Sequence, residues 1–411
     1  MAASIVQPGR EADPRTVTRV ALHNYKSIAA CDVELTPLTV LVGPNGSGKS
    51  NFLDALRLAT QALQFSLDHA LHERGGINEV CGGNPGHPKH FGIRLDLRLP
   101  DATGWYAFEI GARASSRYAV LREECVVQHG DPGERQFFQI GDGRLLSASI
   151  PHPPTTGGSD RLYLQSASGF RAFRLIYDML AGMGFYNLKP ERIRDLQSPD
   201  RGNLLKRDGS NIASVLANLE SRSPEAAMRV GQYLSKVVPG TVGVASKTVG
   251  PKLTLEFYQQ ARGDSNPWRF LANNVSEGTL RVVGVLVALH QGIGMESGNA
   301  RLVGIEEPES TLHPAAAGVL ADVLREASER VQVVVTSHSA DLLDREIISS
   351  DSILAVFPEG GETKVARLDA AGRTVFREGL FTAGEMLRMN QLTPDPKQAA
   401  PVDLDFFRKE D

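Results

Sequence analysis

Cysteine is scarce. Cys31, Cys81 and Cys125 are the only three in 411 residues, and no two of them form a close pair. That excludes a disulfide framework and a zinc ribbon, and it favours a reducing compartment. A surplus of basic charge is also missing: 44 Lys and Arg stand against 48 Asp and Glu, a net charge of −4. A chain-wide nucleic-acid coat is thereby excluded, though a local basic patch is not. Long apolar runs are absent. The longest, "VVGVLVAL" (282–289), is far shorter than the roughly 20 residues that span a bilayer. The N-terminal "MAASIVQPGREADPRT" has no apolar segment of the secretory kind, so a cytoplasmic protein without membrane insertion is expected. Sustained heptads and internal repeats are lacking too, which argues against a long coiled coil. What is present is ordinary globular material, 41% hydrophobic and 22% charged, ample for a sizeable core.

Residues 1–15, with Pro8, Gly9, Asp13 and Pro14, are expected to form a disordered tail. Two or three strands follow over 17–43, the last being the apolar run "LTVLVG" (38–43) of a buried parallel strand. A helix is expected from Lys49, because Phe52, Leu53, Leu56, Ala59 and Leu63 share one face. From Phe91 the apolar period changes to two, which predicts an antiparallel meander over about 91–150. Residues 165–236 read as helical but broken by Gly182, Gly184, Pro190, Pro199, Gly202 and Pro224. From 271 the pattern alternates between helices and apolar strands. The expected class is α/β: an ATPase-type mixed sheet with an antiparallel β-meander and a small helical lobe inserted. The expected division is 16–160 (N-terminal lobe), 161–260 (inserted helical and strand lobe), 261–392 (C-terminal lobe) and 393–411 (flexible acidic tail).

Four stretches carry chemistry. "GPNGSGKS" (43–50) fits the phosphate-loop pattern G-x-x-x-x-G-K-[ST] without a mismatch, and it lies between an apolar strand and an amphipathic helix. Gly43, Gly46 and Gly48 permit a tight turn, and the loop's N–H groups and the helix start point at an anion. The whole loop, Gly43, Pro44, Asn45, Gly46, Ser47, Gly48, Lys49 and Ser50, is expected at the nucleotide, with Asn51 after it. Lys49 supplies charge to the β- and γ-phosphates, and Ser50 offers a hydroxyl to Mg²⁺. In "VGIEEPE" (303–309) two acids follow an apolar strand. Glu306 is assigned to the metal and Glu307 to the attacking water. "VSEGT" (275–279) starts a helix: Ser276 is a good N-cap, and Ser-x-Gly at a helix start also binds phosphate. Taken alone, that stretch reads better as a plain capped core helix. His338, in "VVVTSHSADLL", follows an apolar strand at the edge where ligands gather and could donate to a γ-phosphate, though a lone histidine is more often structural.

The order of these stretches resembles the ABC-type ATPase head of the RecF, SMC and OLD families, and closest of all the compact AAA-type ATPases of that group. The likeness runs over most of 17–390. It implies an Mg²⁺-dependent ATPase that binds two ATP molecules in a sandwich homodimer. Ser276, Gly278 and Thr279 would then contact the γ-phosphate held by the partner, and Glu309 and Ser310 would lie in the dimer-contact loop. His338 matches the switch histidine. The signature departs from the transporter-type Leu-Ser-Gly-Gly-Gln, and Glu306 stands where Asp is commoner in ABC proteins. Candidates for the Q-loop glutamine are Gln128, Gln139 and Gln197. Arg281 is either structural or reaches phosphate. The stretch 189–209 has six basic and four acidic side chains, read as a solvated face unless the dimer binds double-stranded DNA there. The implied work is DNA repair or defence, with a separate nuclease or toxin as effector. The alternatives are the nucleotide-binding subunit of a membrane transporter and a nucleotide-gated switch with little turnover.

Overall fold

A computed structural model describes residues 16–82, 89–113, 117–130, 134–151, 153, 158–260, 266–291, 302–344, 348–399 and 406–407. The expected N-terminal tail (1–15) lies outside the described residues. Three sheets organise the rest. The central one has six strands in the order Glu362–Arg367, Ile353–Glu359, Leu38–Val42, Gln332–Ser337, Leu302–Glu306 and Gly184–Tyr186. All neighbours in it are parallel except the first pair. Its inner strands are buried on both faces, which is why they read as unbroken apolar runs.

Alternation along those strands divides the interior in two. Leu41, Leu302, Val334 and Leu354 face a core shared with the helix Lys49–Gln64 and the meander. Val40, Val42, Val303, Ile305, Val333 and Val335 face a second core, shared with the helices Glu277–His290 and Pro314–Ala327 and with the inserted lobe. The second sheet is an antiparallel seven-stranded meander. The expected strands between His90 and Ala148 extend it on one side, and Thr16–Tyr25 and Ile28–Glu34 complete it. The third sheet, Thr241–Val249, Lys252–Gln259 and Trp268–Leu271, belongs to the lobe with the helices Ile212–Arg222 and Pro224–Val237.

Two expected boundaries need correction. Gly184–Tyr186 lies in the central sheet beside Leu302–Glu306, and the helix Arg171–Ala181 packs in the first core, so the inserted lobe starts later than residue 161. Three residues are too few to display a strand period, so the sequence reads only a break there. The stretch from 393 was expected to be a flexible tail. Instead Pro396–Ala399 is helical, and Phe406 and Phe407 are buried against Ala21 and Ala107. The Arg94 guanidinium donates to the Phe406 carbonyl (2.9 Å), and that of Arg122 lies 3.9 Å from the Phe407 ring centre.

One meander carboxylate makes stability depend on pH. Glu123 is fully buried and accepts from the Tyr163 and Leu164 N–H groups (2.6 and 2.8 Å) and from the Tyr106 hydroxyl (2.9 Å). Burial pushes its carboxyl up to about 7, against the pull of those three donors. Between the ordinary glutamate value and about 7 the folded chain therefore holds a proton that the unfolded chain has lost. Stability falls as pH rises through that window, by on the order of 3 kcal/mol, and levels off above it. Urea midpoints measured from pH 4.5 to 8 should show this slope in the natural chain and lose most of it in Glu123→Gln. Equal slopes would show that Glu123 is ionised throughout.

Candidate functional site

The buried strand Leu38–Val42 delivers the chain to Gly43, where a Cβ would collide with the Val356 carbonyl oxygen. Gly46 and Gly48 then turn with φ of 78° and 99°. At Gly48 a Cβ would run into Thr363, whose hydroxyl donates to the Ser47 carbonyl (2.9 Å). The Thr363 hydroxyl also meets Ser27 Oγ at 2.7 Å, and the Asn51 amide donates to that same Ser27 Oγ (2.7 Å).

Of the loop residues expected at the nucleotide, Asn51 and Asn45 have the following side-chain surroundings. Asn51 spends its amide on bracing the loop against the hairpin turn at Ser27, so it is not aimed at an anion. Asn45 sits at the exposed tip of the loop, in a turn closed by the Ser47 N–H donating to the Pro44 carbonyl (3.2 Å). Pro44 and Gly46 on either side of it are exposed as well. An amide at such a tip stands in water, so what Asn45 offers an anion is its backbone N–H. Pro44 has no N–H to give, and its contribution is the carbonyl that closes the turn.

The helix that follows has no side-chain cap and no acid in its first turn. Its N-terminal N–H groups and their partial positive charge are left to an anion. Lys49 is buried, and its ammonium donates to the Gly43 and Pro44 carbonyls (2.8 and 2.9 Å). Burial pushes its pKa down, while the charges of Glu307 and Glu309 hold it up. Ser47 is buried with an unpartnered Oγ, and Ser50 is exposed. An orphaned hydroxyl, an uncapped helix start and a buried ammonium fit a polyphosphate.

The acids stand at the end of the strand Leu302–Glu306, between its two parallel neighbours. Glu306 is paired in register with Thr336, and its carboxylate accepts from Arg207 Nη2 at 2.6 Å. Glu307 has a left-handed backbone (φ 44°), fixed because its N–H donates to the Thr336 carbonyl and hydroxyl (3.0 and 3.2 Å). That turn aims its side chain away from the sheet. Oε1 lies 3.1 Å from His338 Nδ1, and Oε2 accepts from Ser310 Oγ at 3.1 Å. Lys49, Glu306, Glu307 and His338 thus share the carboxyl edge of the parallel strands, the ligand edge of open α/β sheets. Among the described residues no group of three or more His, Cys, Asp or Glu is arranged to hold a metal. Ser50 and Glu306 are oxygen donors suited to Mg²⁺, which takes most of its shell from nucleotide and water.

Glu309 is 4% exposed. Its Oε1 accepts from Ser337 Oγ (2.6 Å), Oε2 has no partner, and Ser337 Oγ accepts from the Ser339 N–H (3.0 Å). Glu309 therefore ties the Glu307 turn to the loop that carries His338. Burial raises its carboxyl pKa. Arg281 Nη1 donates to the Glu307 carbonyl (3.4 Å), and its buried Nε has no partner.

Ser276 caps the helix Glu277–His290, accepting from the Thr279 N–H (3.2 Å) and meeting the Thr279 hydroxyl at 2.8 Å. Ser276 is exposed, whereas Gly278 and Thr279 are buried. A Cβ at Gly278 would come 2.9 Å from the Thr311 carbonyl oxygen, so the helix start sits tightly on the turn after the acids. The capping reading is thereby realised, and it leaves the Ser276 edge facing outward.

None of the three glutamine candidates joins this group. Gln197 is buried in the lobe, where its side chain bonds Arg192, Gly209 and Ala213. Gln139 donates to Glu124 on the meander, and Gln128 lies on the neighbouring meander strand. The edge strand Gly184–Tyr186 ends beside Ile305. Sequence reasoning missed Arg207, which meets Glu306. The only signal for Arg207 is its place in the basic stretch 189–209.

Parts of the chain are similar to known proteins. Residues 16–82 match a family described as an AAA ATPase domain. Residues 158–344 match one described as an AAA domain, putative AbiEii toxin, Type IV TA system. A DNA replication and repair protein RecF from Gloeobacter violaceus is 45% identical over 62 residues, 14% of this chain and 16% of that protein. A DNA double-strand break repair Rad50 ATPase from Methanopyrus kandleri is 37% identical over 76 residues, 17% of this chain and 9% of that protein. The chain therefore spans only a small part of these curated relatives. Across 89% of this chain and 99% of the other, the fold is similar to an SMC head domain from Pyrococcus furiosus, crystallised with the C-terminal domain of ScpA. That likeness has a TM-score of 0.53 at 12% identity.

Proposed function

We propose that the chain is a RecF/SMC-like P-loop ATPase that hydrolyses ATP with Mg²⁺ as a nucleotide-sandwich homodimer acting on DNA in the cytoplasm. The observation that carries the reading is the Glu307 carboxylate, 3.1 Å from His338 and close enough to the phosphate-loop Lys49 to oppose in part the burial that lowers the lysine's pKa. A water placed between Glu307 and a γ-phosphate on the loop would lose its proton to Glu307 Oε1, with His338 Nδ1 adjacent. Lys49 would exchange its two loop carbonyls for phosphate oxygens. Mg²⁺ bound with the nucleotide at Ser50 and Glu306 would neutralise charge on the β- and γ-oxygens.

A second copy would complete each site with its helix start at Ser276, Gly278 and Thr279, of which Ser276 faces outward and the other two are buried. DNA-associated work is supported by the RecF and Rad50 relatives, whose names describe DNA repair. A cytoplasmic setting is supported by the three free, buried cysteines. Among the described residues no helix is long and apolar enough to cross a membrane. The test is the steady-state ATPase rate with and without double-stranded DNA, run beside light scattering with ATP and with ADP. A rate increase of at least severalfold with DNA, and a dimer with ATP only, are expected. A monomer under both nucleotides would overturn the sandwich, and a rate indifferent to DNA would overturn the DNA assignment.

A further inference from the structure

The acid assigned to the metal is already occupied by a cation of the chain itself. Glu306 Oε1 accepts from Arg207 Nη2 at 2.6 Å, and the Glu306 side chain is only 17% exposed. Arg207 is 99 residues away, in the lobe loop that precedes the helix Ile212–Arg222. That loop is firmly built. The Asn187 N–H donates to the Arg207 carbonyl (2.9 Å) and the Lys189 N–H to the Asp208 carbonyl (3.1 Å), which ties the loop to the chain leaving the edge strand. The Leu205 N–H donates to Gln291 Oε1 (2.7 Å), and the Lys206 N–H to Asn211 Oδ1 (2.8 Å). Gly209 closes the turn with φ 81°, where a Cβ would press on Ile193 at 2.7 Å. The backbone thus presents Arg207 to Glu306 from a fixed base.

Arg207 lines a small cleft with Leu53, Arg57, Tyr186 and Glu306, at the flank of the phosphate-loop helix. A guanidinium and a divalent cation cannot share one carboxylate oxygen at hydrogen-bond distance without strong mutual repulsion. We propose that Arg207 is a latch carried by the inserted lobe: it holds Glu306 until Mg²⁺ entering with nucleotide displaces it, so that metal loading frees the Arg207 side chain from the ATPase core. The proposal rests on Glu306 being a metal-site acid. It gives the lobe a direct line to the nucleotide state within one chain, apart from any dimer contact. The pair is partly exposed, so solvent screens it, and competition changes affinity modestly.

The experiment titrates Mg²⁺ into protein and a non-hydrolysable fluorescent ATP analogue, reading analogue binding by anisotropy. The natural chain, Arg207→Ala, Arg207→Lys and Glu306→Gln are compared. Arg207 is 44% exposed on its side chain, so its replacement leaves the core intact. The half-saturating Mg²⁺ concentration should fall about three- to tenfold in Arg207→Ala and less in Arg207→Lys. Trypsin cleavage within 203–211 of the natural chain should quicken with Mg²⁺ and analogue relative to analogue with EDTA. An unchanged or raised Mg²⁺ requirement in Arg207→Ala overturns the latch while leaving the metal assignment standing. Binding that responds to Mg²⁺ identically in the natural chain and Glu306→Gln overturns the metal assignment, and the latch with it.

Discussion

Glu307→Gln should lower the ATP hydrolysis rate by at least about 100-fold while leaving ATP affinity within a few-fold, and dimers with ATP should accumulate. The size follows from what the substitution removes. Glutamine keeps the shape, and its oxygen can still accept the Ser310 hydroxyl that now reaches Oε2 at 3.1 Å. The left-handed backbone is untouched, because it is fixed by Thr336 through the N–H of residue 307. What is lost is the ability to take a proton, which general bases contribute at about 10²–10⁴-fold. Folding should hardly respond, since the side chain is 37% exposed and not part of either core. Single-turnover hydrolysis with nucleotide binding measured separately distinguishes the two effects. An unchanged hydrolysis rate would remove Glu307 from the chemistry and move attention to Glu309, the neighbouring acid that is buried and has one free oxygen.

That contrast between Glu307 and Glu309 shows what the sequence discloses and what it conceals. The phosphate loop was legible because a fixed glycine spacing must follow a buried strand, and such a strand reads as an apolar run. Which loop side chains face the anion was not, since Asn45 and Asn51 look alike in the motif and differ only in what surrounds them. The acids and His338 were legible because both follow apolar runs. The inward turn of Glu309 was not, since its reason is Ser337, 28 positions away on the adjacent strand. Arg207 was illegible for a stronger reason. Its partner is 99 positions away, and nothing local separates it from the other basic residues of a solvated-looking stretch. The brace of Thr363 and Ser27 on the loop, and the burial of Phe406 and Phe407, likewise depend on contacts across more than 300 residues. Periodicity reports which face of an element is buried; it carries no information on which distant element covers it.

The largest stability effect should come from a residue that does no chemistry. Asp54, one turn along the phosphate-loop helix from Ser50, accepts from Lys26 Nζ (2.6 Å), Arg74 Nη2 (2.8 Å), Arg57 Nη2 (2.9 Å) and the Tyr25 hydroxyl (2.9 Å). The Arg74 side chain is 1% exposed, so its charge has little water to fall back on. Burial alone would push the Asp54 carboxyl up, but Arg74, Lys26 and Arg57 together hold it well below the usual carboxylate range. Asp54→Asn keeps the volume and leaves three cations facing a neutral amide, which should cost about 3–5 kcal/mol at neutral pH. The sign with pH follows from the depressed value. The contribution is fully present above the ordinary aspartate pKa and is lost as pH falls through the lower folded value, so the gap between variant and natural chain should narrow only in strong acid. Urea denaturation at pH 7 and in progressively stronger acid measures both. The same substitution should weaken nucleotide binding indirectly. Lys26 sits next to Ser27, which holds Asn51 and Thr363 against the loop, so a hairpin released from Asp54 no longer braces Gly48. Saturating nucleotide should restore part of the lost stability by mass action. Equal denaturation midpoints at neutral pH would show that solvent, not Asp54, balances Arg74.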